Sequence, residues 1–208
     1  MTVKNIFFCF LFLFTSLGCF AQNAYWGVRA GMSFNKVGGI ELDNSMYTGF
    51  NAGLFGTFMI NDRFSFTHEL SYAVRGFNGA LSDGHNYDFN LKYIDIPWML
   101  NFHINQAVYV QAGVQPSVYA FFKPAQYDTI PYTKYNANAF DFSGFVGASI
   151  ILKNNLLFGV RLNQSISQTF NISTYGGKQL TMHAFIGYAI NRKTRGKRYN
   201  FGSSGGGR

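Results

Sequence analysis

The sequence predicts an all-β fold, an eight-stranded antiparallel up-and-down transmembrane β-barrel, and three observations lead to this prediction. Eight segments alternate apolar and polar residues with the two-residue period of a β-strand. Their apolar faces are together too bulky for the interior of eight strands, which side chains only just fill. Short turns and long loops alternate between the segments, as they do in outer-membrane barrels.

The chain begins with a predicted signal peptide, residues 1–21. One lysine precedes an apolar run at 6–14, and small residues end at Ala21. This order is typical of secretory leaders, and the run is too short for a transmembrane helix, which needs about 20 residues. We expect cleavage after Ala21, so that the mature chain starts at Gln22.

Both cysteines, Cys9 and Cys19, lie in this leader, so cleavage after Ala21 leaves a mature chain without disulfides. A second processing site is conceivable at "SLGC", which loosely resembles a lipobox and would make Cys19 a lipid-carrying N-terminus. We favour cleavage after Ala21, because the residue three before Cys19 is Ser16 and not a branched aliphatic residue.

The net charge of +8 does not indicate a nucleic-acid-binding surface, because the positive charge is concentrated at the C-terminus. Six of the 17 basic residues lie in residues 191–208, a Gly/Ser-rich segment without an acidic residue. Residues 22–190 hold ten basic and nine acidic residues and are nearly neutral. We therefore predict a basic C-terminal tail at 191–208 and expect no nucleic-acid partner.

The barrel is predicted at residues 22–190. Its fourth segment, "YIDIPWMLNF", shows the pattern clearly, since Ile94 and Trp98 share one face while Asp95 and Asn101 share the other. The eight predicted strands are 25–35, 47–60, 64–75, 93–102, 107–121, 139–151, 156–167 and 179–190. Their apolar faces carry, in strand order, Trp26 and Met32, Phe50 and Leu54, Leu70 and Val74, Trp98 and Leu100, Val110 and Val118, Val146 and Ile150, Phe158 and Leu162, and Met182 and Ile186.

The apolar faces are predicted to meet lipid, and the polar faces to line the lumen. Only 12% of the residues are charged, whereas soluble domains average about 25%, which favours lipid as the outer solvent. The lumen face is expected to be short and polar, with six charged positions: Arg29, Glu69, Arg75, Asp95, Asp141 and Arg161. We expect these six to pair and close the lumen, because an unpaired buried charge is costly. From the strand order, Glu69 and Asp95 are expected to face Arg29 and Arg161 across the lumen, with Arg75 nearer the loop end. The alternative is an ion pathway through them.

The connections predict the orientation of the barrel. Three are short, "NDR", "INQ" and "LKNN", and the others, at 36–46, 76–91, 122–138 and 168–178, are longer. In outer-membrane barrels the short turns are periplasmic and the longer loops are extracellular. We therefore predict a location in the cell outer membrane, in contact with its lipid.

The segments "YIDIPWMLNF", "VYVQAGVQPSVY", "FDFSGFVGASI" and "GVRLNQSIS" resemble the PorT family of outer-membrane β-barrels of Bacteroidetes-type bacteria. The resemblance covers nearly all of the mature chain up to the eighth strand. It implies a barrel without catalytic residues, and it raises the alternative that the chain is a component of an outer-membrane protein-secretion system.

Enzymatic chemistry has one candidate, the loop segment "LSDGH" with Ser82, Asp83 and His85. A loop-based lipid hydrolase would need these side chains in a supported geometry, which five consecutive loop residues around Gly84 provide poorly. The histidines of the chain are scattered, so we expect neither a metal site nor a cofactor.

The long loops are the remaining place for activity. The third loop carries Tyr127, Tyr132 and Tyr135, and tyrosine-rich loops on rigid scaffolds often bind partners. The same aromatic residues could instead rest on the membrane surface. We therefore predict a non-enzymatic structural or interaction module, with other envelope proteins as partners through the long loops or the basic tail.

Overall fold

The computed structural model describes residues 24–38, 43–80, 86–120, 135–137, 140–167, 170–172 and 175–192. The predicted leader, its cleavage site and tail residues 193–208 lie outside these ranges. The described residues form twelve strands: β1 (Ala24–Gly38), β2 (Asp43–Ser45), β3 (Tyr47–Met59), β4 (Phe64–Ala80), β5 (Asn86–Asp95), β6 (Trp98–His103), β7 (Val108–Tyr119), β8 (Tyr135–Ala137), β9 (Phe140–Ile151), β10 (Leu156–Ser165), β11 (Phe170–Ile172) and β12 (Tyr175–Ala189).

The long strands form a closed antiparallel barrel. Its wall runs β1, β3, β4, then β5 and β6 as one position, then β7, β9, β10 and β12. The first and last strands pair over twelve residues, from Gly27 opposite Ala189 to Gly38 opposite Lys178. With eight wall positions and every long strand antiparallel to its neighbours, the predicted fold is confirmed.

The fourth predicted strand is divided into β5 and β6 at Ile96 and Pro97. Glu69 N still donates to Pro97 O at 3.0 Å, and Ile96 N donates to Pro116 O at 2.9 Å. Neither proline carries an N–H, so the hydrogen bond that would return from each is lacking. The wall therefore continues through this position with fewer ladder bonds than an ordinary strand pair.

The three short turns close one end of the barrel with asparagine side chains. Asn61 Oδ1 accepts bonds from the backbone N–H groups of Arg63 and Phe64, both at 2.8 Å. Asn105 Oδ1 makes the same two contacts in its turn, with Ala107 and Val108, again at 2.8 Å. Such side-chain acceptors replace the missing ladder partners of a tight turn.

In the third short turn, Asn154 Oδ1 accepts from Leu156 N at 3.3 Å. Asn155 has a left-handed φ of 68°, which asparagine tolerates better than most residues.

At the loop end, strands replace part of the predicted loops. β4 and β5 continue past the predicted boundary as a hairpin, with Ala80 opposite Asn86. β2 pairs with the end of β4, and β8 pairs with β11, which pairs with the start of β12. The predicted loop 76–91 is therefore largely a strand pair, because hydrophobic alternation marks only the membrane-spanning part of a strand.

The burial of side chains follows the predicted faces. Apolar residues of the predicted lipid face are exposed, including Leu54 (56%) and Val146 (59%), whereas the predicted lumen charges are all buried. Val74 is an exception, since it was predicted on the lipid face and is only 6% exposed, with Phe50 and Lys92 as its cross-strand neighbours. In the part of the chain that the structure describes, no helix has the length and apolar character needed to span a bilayer.

Candidate functional site in the barrel lumen

The lumen is the place where the sequence concentrates buried polar groups. Because side chains alternate along each strand, the same strands that expose apolar residues outward place a charged and hydrogen-bonding set inward. All six predicted charges are there, none more than 7% exposed: Arg29, Glu69, Arg75, Asp95, Asp141 and Arg161. The structure brings them together as two separate ion clusters.

The turn-side cluster consists of Arg29, Glu69 and Arg161. Arg161 donates from Nη1 to Glu69 Oε2 at 3.1 Å and from Nη2 to Glu69 Oε1 at 3.0 Å, a bidentate arrangement. Arg29 Nη2 contacts Glu69 Oε2 at 2.5 Å. The Glu69 carboxylate on β4 therefore forms ion pairs with two guanidinium groups, one from β1 and one from β10. These pairs link opposite sides of the barrel wall through the lumen.

Aromatic rings support the excess positive charge of the turn-side cluster. The guanidinium carbon of Arg29 lies 4.7 Å from the ring centre of Phe185, and that of Arg161 lies 5.2 Å from the same ring. Arg161 also lies 4.7 Å from the ring centre of Phe145. Cation–π contacts of this kind gain strength when the groups are shielded from water, so the rings contribute to holding both guanidinium groups in the lumen.

The loop-side cluster consists of Arg75, Asp95 and Asp141. Arg75 forms an ion pair with Asp95, and its Nη1 lies 3.6 Å from Asp141 Oδ2. Ser165 and Ser167 donate hydrogen bonds to Asp141, the second at 2.7 Å. This cluster has one more acid than base, whereas the turn-side cluster has one more base than acid, so the two together are neutral.

The pairing differs from the expected one at Asp95. Asp95 was expected to face Arg29 and Arg161 across the lumen together with Glu69, but its partner is Arg75. Arg29 and Asp95 do lie in one cross-strand row, through Gly53 and Ser71. Because the strands of a closed barrel tilt, such a row climbs along the barrel axis, and Asp95 lies nearer the loop end than Arg29.

An apolar layer that the sequence pattern did not predict lies at the turn end of the lumen. Its members are Tyr25, Phe55, Tyr109, Ile151, Leu157, Phe185 and Ala189, here called the apolar seal. Tyr25 and Phe55 meet edge to face with ring centres 6.4 Å apart. The lumen face is thus not uniformly short and polar as expected. In several strands two consecutive residues are both apolar, as at Leu54 and Phe55, and they point to opposite faces of the wall. The alternation of apolar and polar residues is lost at such positions, so it does not reveal that one of the two points into the lumen.

Neutral polar side chains fill the space around the ion clusters. Asn51 Nδ2 and His183 Nδ1 are 2.9 Å apart, and Asn163 donates to Gln115 Oε1 at 2.9 Å. At the loop side, Thr181 donates to Asn35 Oδ1 at 2.9 Å. These contacts join β3 to β12, β10 to β7 and β12 to β1 through the interior of the barrel.

A serine and a histidine meet near the turn end, although neither is in the predicted loop segment. Ser65 Oγ and His103 Nε2 are 2.8 Å apart, and Asn101 donates to Ser65 at 3.0 Å. Ser65 has no exposed surface, so it is not placed to meet a substrate. The remaining described histidine, His68, stacks on Phe58 with ring centres 5.5 Å apart.

The predicted loop sites lie outside the described residues. This holds for Ser82, Asp83 and His85 and for Tyr127 and Tyr132, whereas Tyr135 belongs to β8 by its backbone. Across the described parts of the chain, no three His, Cys, Asp or Glu side chains are grouped in a way that could hold a metal ion.

The start of the basic tail is attached to the turns. Arg192 donates from Nη2 to Gln106 O at 2.9 Å and from Nη1 to Leu152 O at 3.4 Å. These two carbonyls belong to the β6–β7 and β9–β10 turns. Arg192 therefore ties the residues after β12 to the turn end of the barrel.

Comparison with known proteins identifies the class. A family model described as "Outer membrane protein beta-barrel domain" matches residues 20–171, and the chain belongs to this family. The protein is thus an outer-membrane β-barrel protein, as the closed barrel and its apolar outer face had predicted. No curated protein sequence matches the chain.

Solved structures with a similar fold include three outer-membrane proteins. Ail, the attachment invasion locus protein of Yersinia pestis, is 13% identical with a TM-score of 0.48, covering 81% of this chain and 100% of its own. OprG from Pseudomonas aeruginosa is 12% identical with a TM-score of 0.49, covering 81% and 96%. The outer membrane enzyme PagL is 11% identical with a TM-score of 0.46, covering 78% and 99%.

Proposed function

We propose that this outer-membrane barrel is a non-enzymatic structural or interaction module whose lumen is closed by its own side chains. The observation that carries the proposal is the filled lumen. Two ion clusters, each with paired opposite charges, lie next to an apolar seal, and a narrow eight-stranded barrel leaves little room beside them. A conducting pore would need a continuous wet path, which the apolar seal opposes.

Conductance in planar bilayers tests the closed lumen. The parent barrel is expected to give currents that are small and intermittent. Replacing two rings of the seal, in Phe55→Ala/Phe185→Ala, should raise the conductance, whereas Leu54→Ala, which removes the outward neighbour of Phe55, should not. A steady large conductance of the parent would overturn the closed lumen and favour the ion pathway.

The interaction role would belong to the parts outside the membrane. The resemblance to the PorT family supports a more specific version, in which the barrel is a component of an outer-membrane protein-secretion system. Its partners would then meet the tyrosine-rich loop or the basic tail at 191–208. Extraction from native membranes in mild detergent, followed by affinity purification, should recover stoichiometric envelope proteins, and a chain ending at Arg192 should lose any partner that binds the tail.

The alternative function is a loop-based lipid hydrolase that uses Ser82 and His85. The purified barrel in mixed micelles with phospholipid or lipid A provides the test. The non-enzymatic proposal expects no release of fatty acid above the level of a Ser82→Ala variant. Turnover that disappears in Ser82→Ala and in His85→Ala would establish the hydrolase instead.

A further inference from the structure

The outer surface of the barrel is not evenly convex. On the side formed by β6, β7, β9, β10 and β12 it carries an apolar concavity of about 760 Å³, with a second of about 480 Å³ beside it. The two share Ala148 and Val160 in their lining, so they form one continuous depression. We call this depression the outer trough.

The outer trough follows from the strand register. Val110, Ala148, Val160 and Ala184 are cross-strand neighbours and form a row of small outward side chains. On β10 and β12 larger residues stand in the two adjacent rows, Leu162 and Met182 toward the loops and Phe158 and Ile186 toward the turns. On β7 and β9 the loop-side row holds Ala112 and Val146, so the depression widens there. Phe102, the partner of Val110, closes one end of the row, and Met32, the partner of Ala184, closes the other.

The dimensions of the outer trough fit one hydrocarbon chain. From Phe102 to Ala184 the row crosses four strand spacings, which is about 19 Å at about 4.8 Å per spacing. Half of a hydrocarbon core of about 30 Å is about 15 Å, the depth that one acyl chain of a leaflet covers. Because the strands tilt by roughly 35–45°, the row runs obliquely through the membrane and matches a chain that is itself inclined.

We infer that the outer trough is a binding site for a single fatty-acyl chain of a membrane lipid. The depression is continuous with the apolar surface that this outer-membrane barrel presents to lipid, where Val146, Val160, Leu162 and Met182 are all exposed. The outward side chains around it are apolar, so an extended peptide laid in it would leave backbone amides without partners in hydrocarbon, at several kcal/mol each. An acyl chain has no such groups, and it gains contacts with the floor and both walls at once.

Photocrosslinking from lipid tests the site. The full mature chain is reconstituted in phosphatidylcholine vesicles that contain phosphatidylcholine with a diazirine on its acyl chain, and the labelled residues are mapped by mass spectrometry. Labelling per exposed residue is expected to be about fivefold higher in the outer trough than elsewhere on the membrane-facing surface. This ratio corresponds to a difference in binding free energy of about 1 kcal/mol. Even labelling around the barrel would overturn the inference.

Two matched variants make the test specific. Ala148→Phe fills the floor of the outer trough and should abolish the excess labelling, while Ala52→Phe adds the same ring on the membrane-facing surface of β3 and should leave it unchanged. Both positions are exposed to the membrane, and heat-modifiable gel mobility reports whether each variant has folded. Excess labelling that persists in Ala148→Phe would contradict the site.

A second copy of the barrel is the competing occupant. A single cysteine in place of Ala148 in the cysteine-free mature chain should remain monomeric after treatment with a short bifunctional thiol reagent in vesicles. Efficient formation of cross-linked dimers, with Ala52→Cys giving none, would assign the outer trough to contact between barrels and overturn the acyl-chain site.

Discussion

Arg161 and Glu69 form a two-bond ion pair across the lumen, from β10 to β4, although 92 residues separate them in the chain. Glu69 also forms an ion pair with Arg29, whose Nη2 lies 2.5 Å from Glu69 Oε2. The three groups therefore do not contribute equally to the stability of the barrel. Removing Arg161 leaves Glu69 paired with Arg29. Removing Glu69 leaves two buried arginines facing each other without a counter-charge.

We therefore predict that Glu69→Gln destabilises the barrel by about 3–5 kcal/mol, the usual range for breaking a buried ion pair, and that Arg161→Met costs less. The double variant Glu69→Gln/Arg161→Met should be more stable than Glu69→Gln alone, because it removes one of the two stranded charges. Reversible urea unfolding in lipid vesicles measures all three. Equal costs for the two single variants, with no recovery in the double variant, would contradict the shared-carboxylate arrangement.

The loop-side cluster contains one base and two acids, whereas the turn-side cluster contains two bases and one acid. Here the loss of the base should therefore destabilise the barrel more than the loss of one acid. Arg75→Met leaves Asp95 and Asp141 without their cation and should cost about 3–5 kcal/mol, whereas Asp95→Asn leaves Arg75 with Asp141 and should cost less. The same unfolding experiment applies. If Asp95→Asn proved the more damaging change, Arg75 would not be the centre of this cluster.

The lipid-facing surface predicts a depth-dependent penalty for charge. Leu54→Arg places a guanidinium at an exposed mid-strand position of β3 and should cost about 2–4 kcal/mol near the bilayer centre. Leu54→Met, which keeps the apolar character, serves as the matched control and should be close to neutral. Folding yield into vesicles, read by heat-modifiable mobility, provides the measurement, and equal yields of the two variants would show that this face does not meet lipid.

The glycines of β9 and β10 predict a contrast between two similar substitutions. A Cβ on Gly159 would lie 2.3 Å from Phe185 Cζ and 2.4 Å from Ser149 Oγ, whereas a Cβ on Gly144 would meet nothing closer than Ile166 Cδ1 at 3.7 Å. Gly159→Ala should thus cost about 1–3 kcal/mol through overpacking, and Gly144→Ala should be nearly neutral. Thermal unfolding in detergent distinguishes them, and a tolerated Gly159→Ala would mean that Phe185 does not pack against this glycine.

The leader predicts one chemical outcome. Intact mass and N-terminal sequencing of the protein from the outer membrane should give a mature chain that starts at Gln22. A diacyl or triacyl modification on Cys19 would replace this prediction with lipoprotein processing.

The wall of the barrel could be predicted from sequence because lipid imposes a simple rule on it. Residues such as Leu54 and Val146 must face outward, and the period of two then places Glu69, Asp95 and Arg161 inward without further information. The pairing among those charges could not be predicted in the same way. Which carboxylate meets which arginine depends on the strand tilt, and tilt follows from the shear of the closed barrel, which no single strand reveals.

Two further features depended on the whole molecule. The apolar seal uses inward residues such as Phe55 and Phe185, which resemble lipid-facing ones when a strand is read alone. The hairpin formed by β4 and β5 extends past the predicted strand boundary at Arg75, in a stretch where the sequence does not alternate clearly between apolar and polar residues. The sequence pattern therefore predicts the wall where lipid contacts one face of each strand. It does not predict the packing of side chains inside the lumen or the extension of β4 and β5 past the predicted strands.

The pairing of β1 with β12 has a consequence for biogenesis. These strands are the first and last of the barrel, so Gly27 and Ala189 meet only when the entire intervening chain is present. Until then β1 has an unpaired edge, and unpaired strand edges invite association with other chains. A chain that lacks its last strand therefore cannot close the barrel. We expect such a chain to need shielding from other chains until β12 can pair with β1.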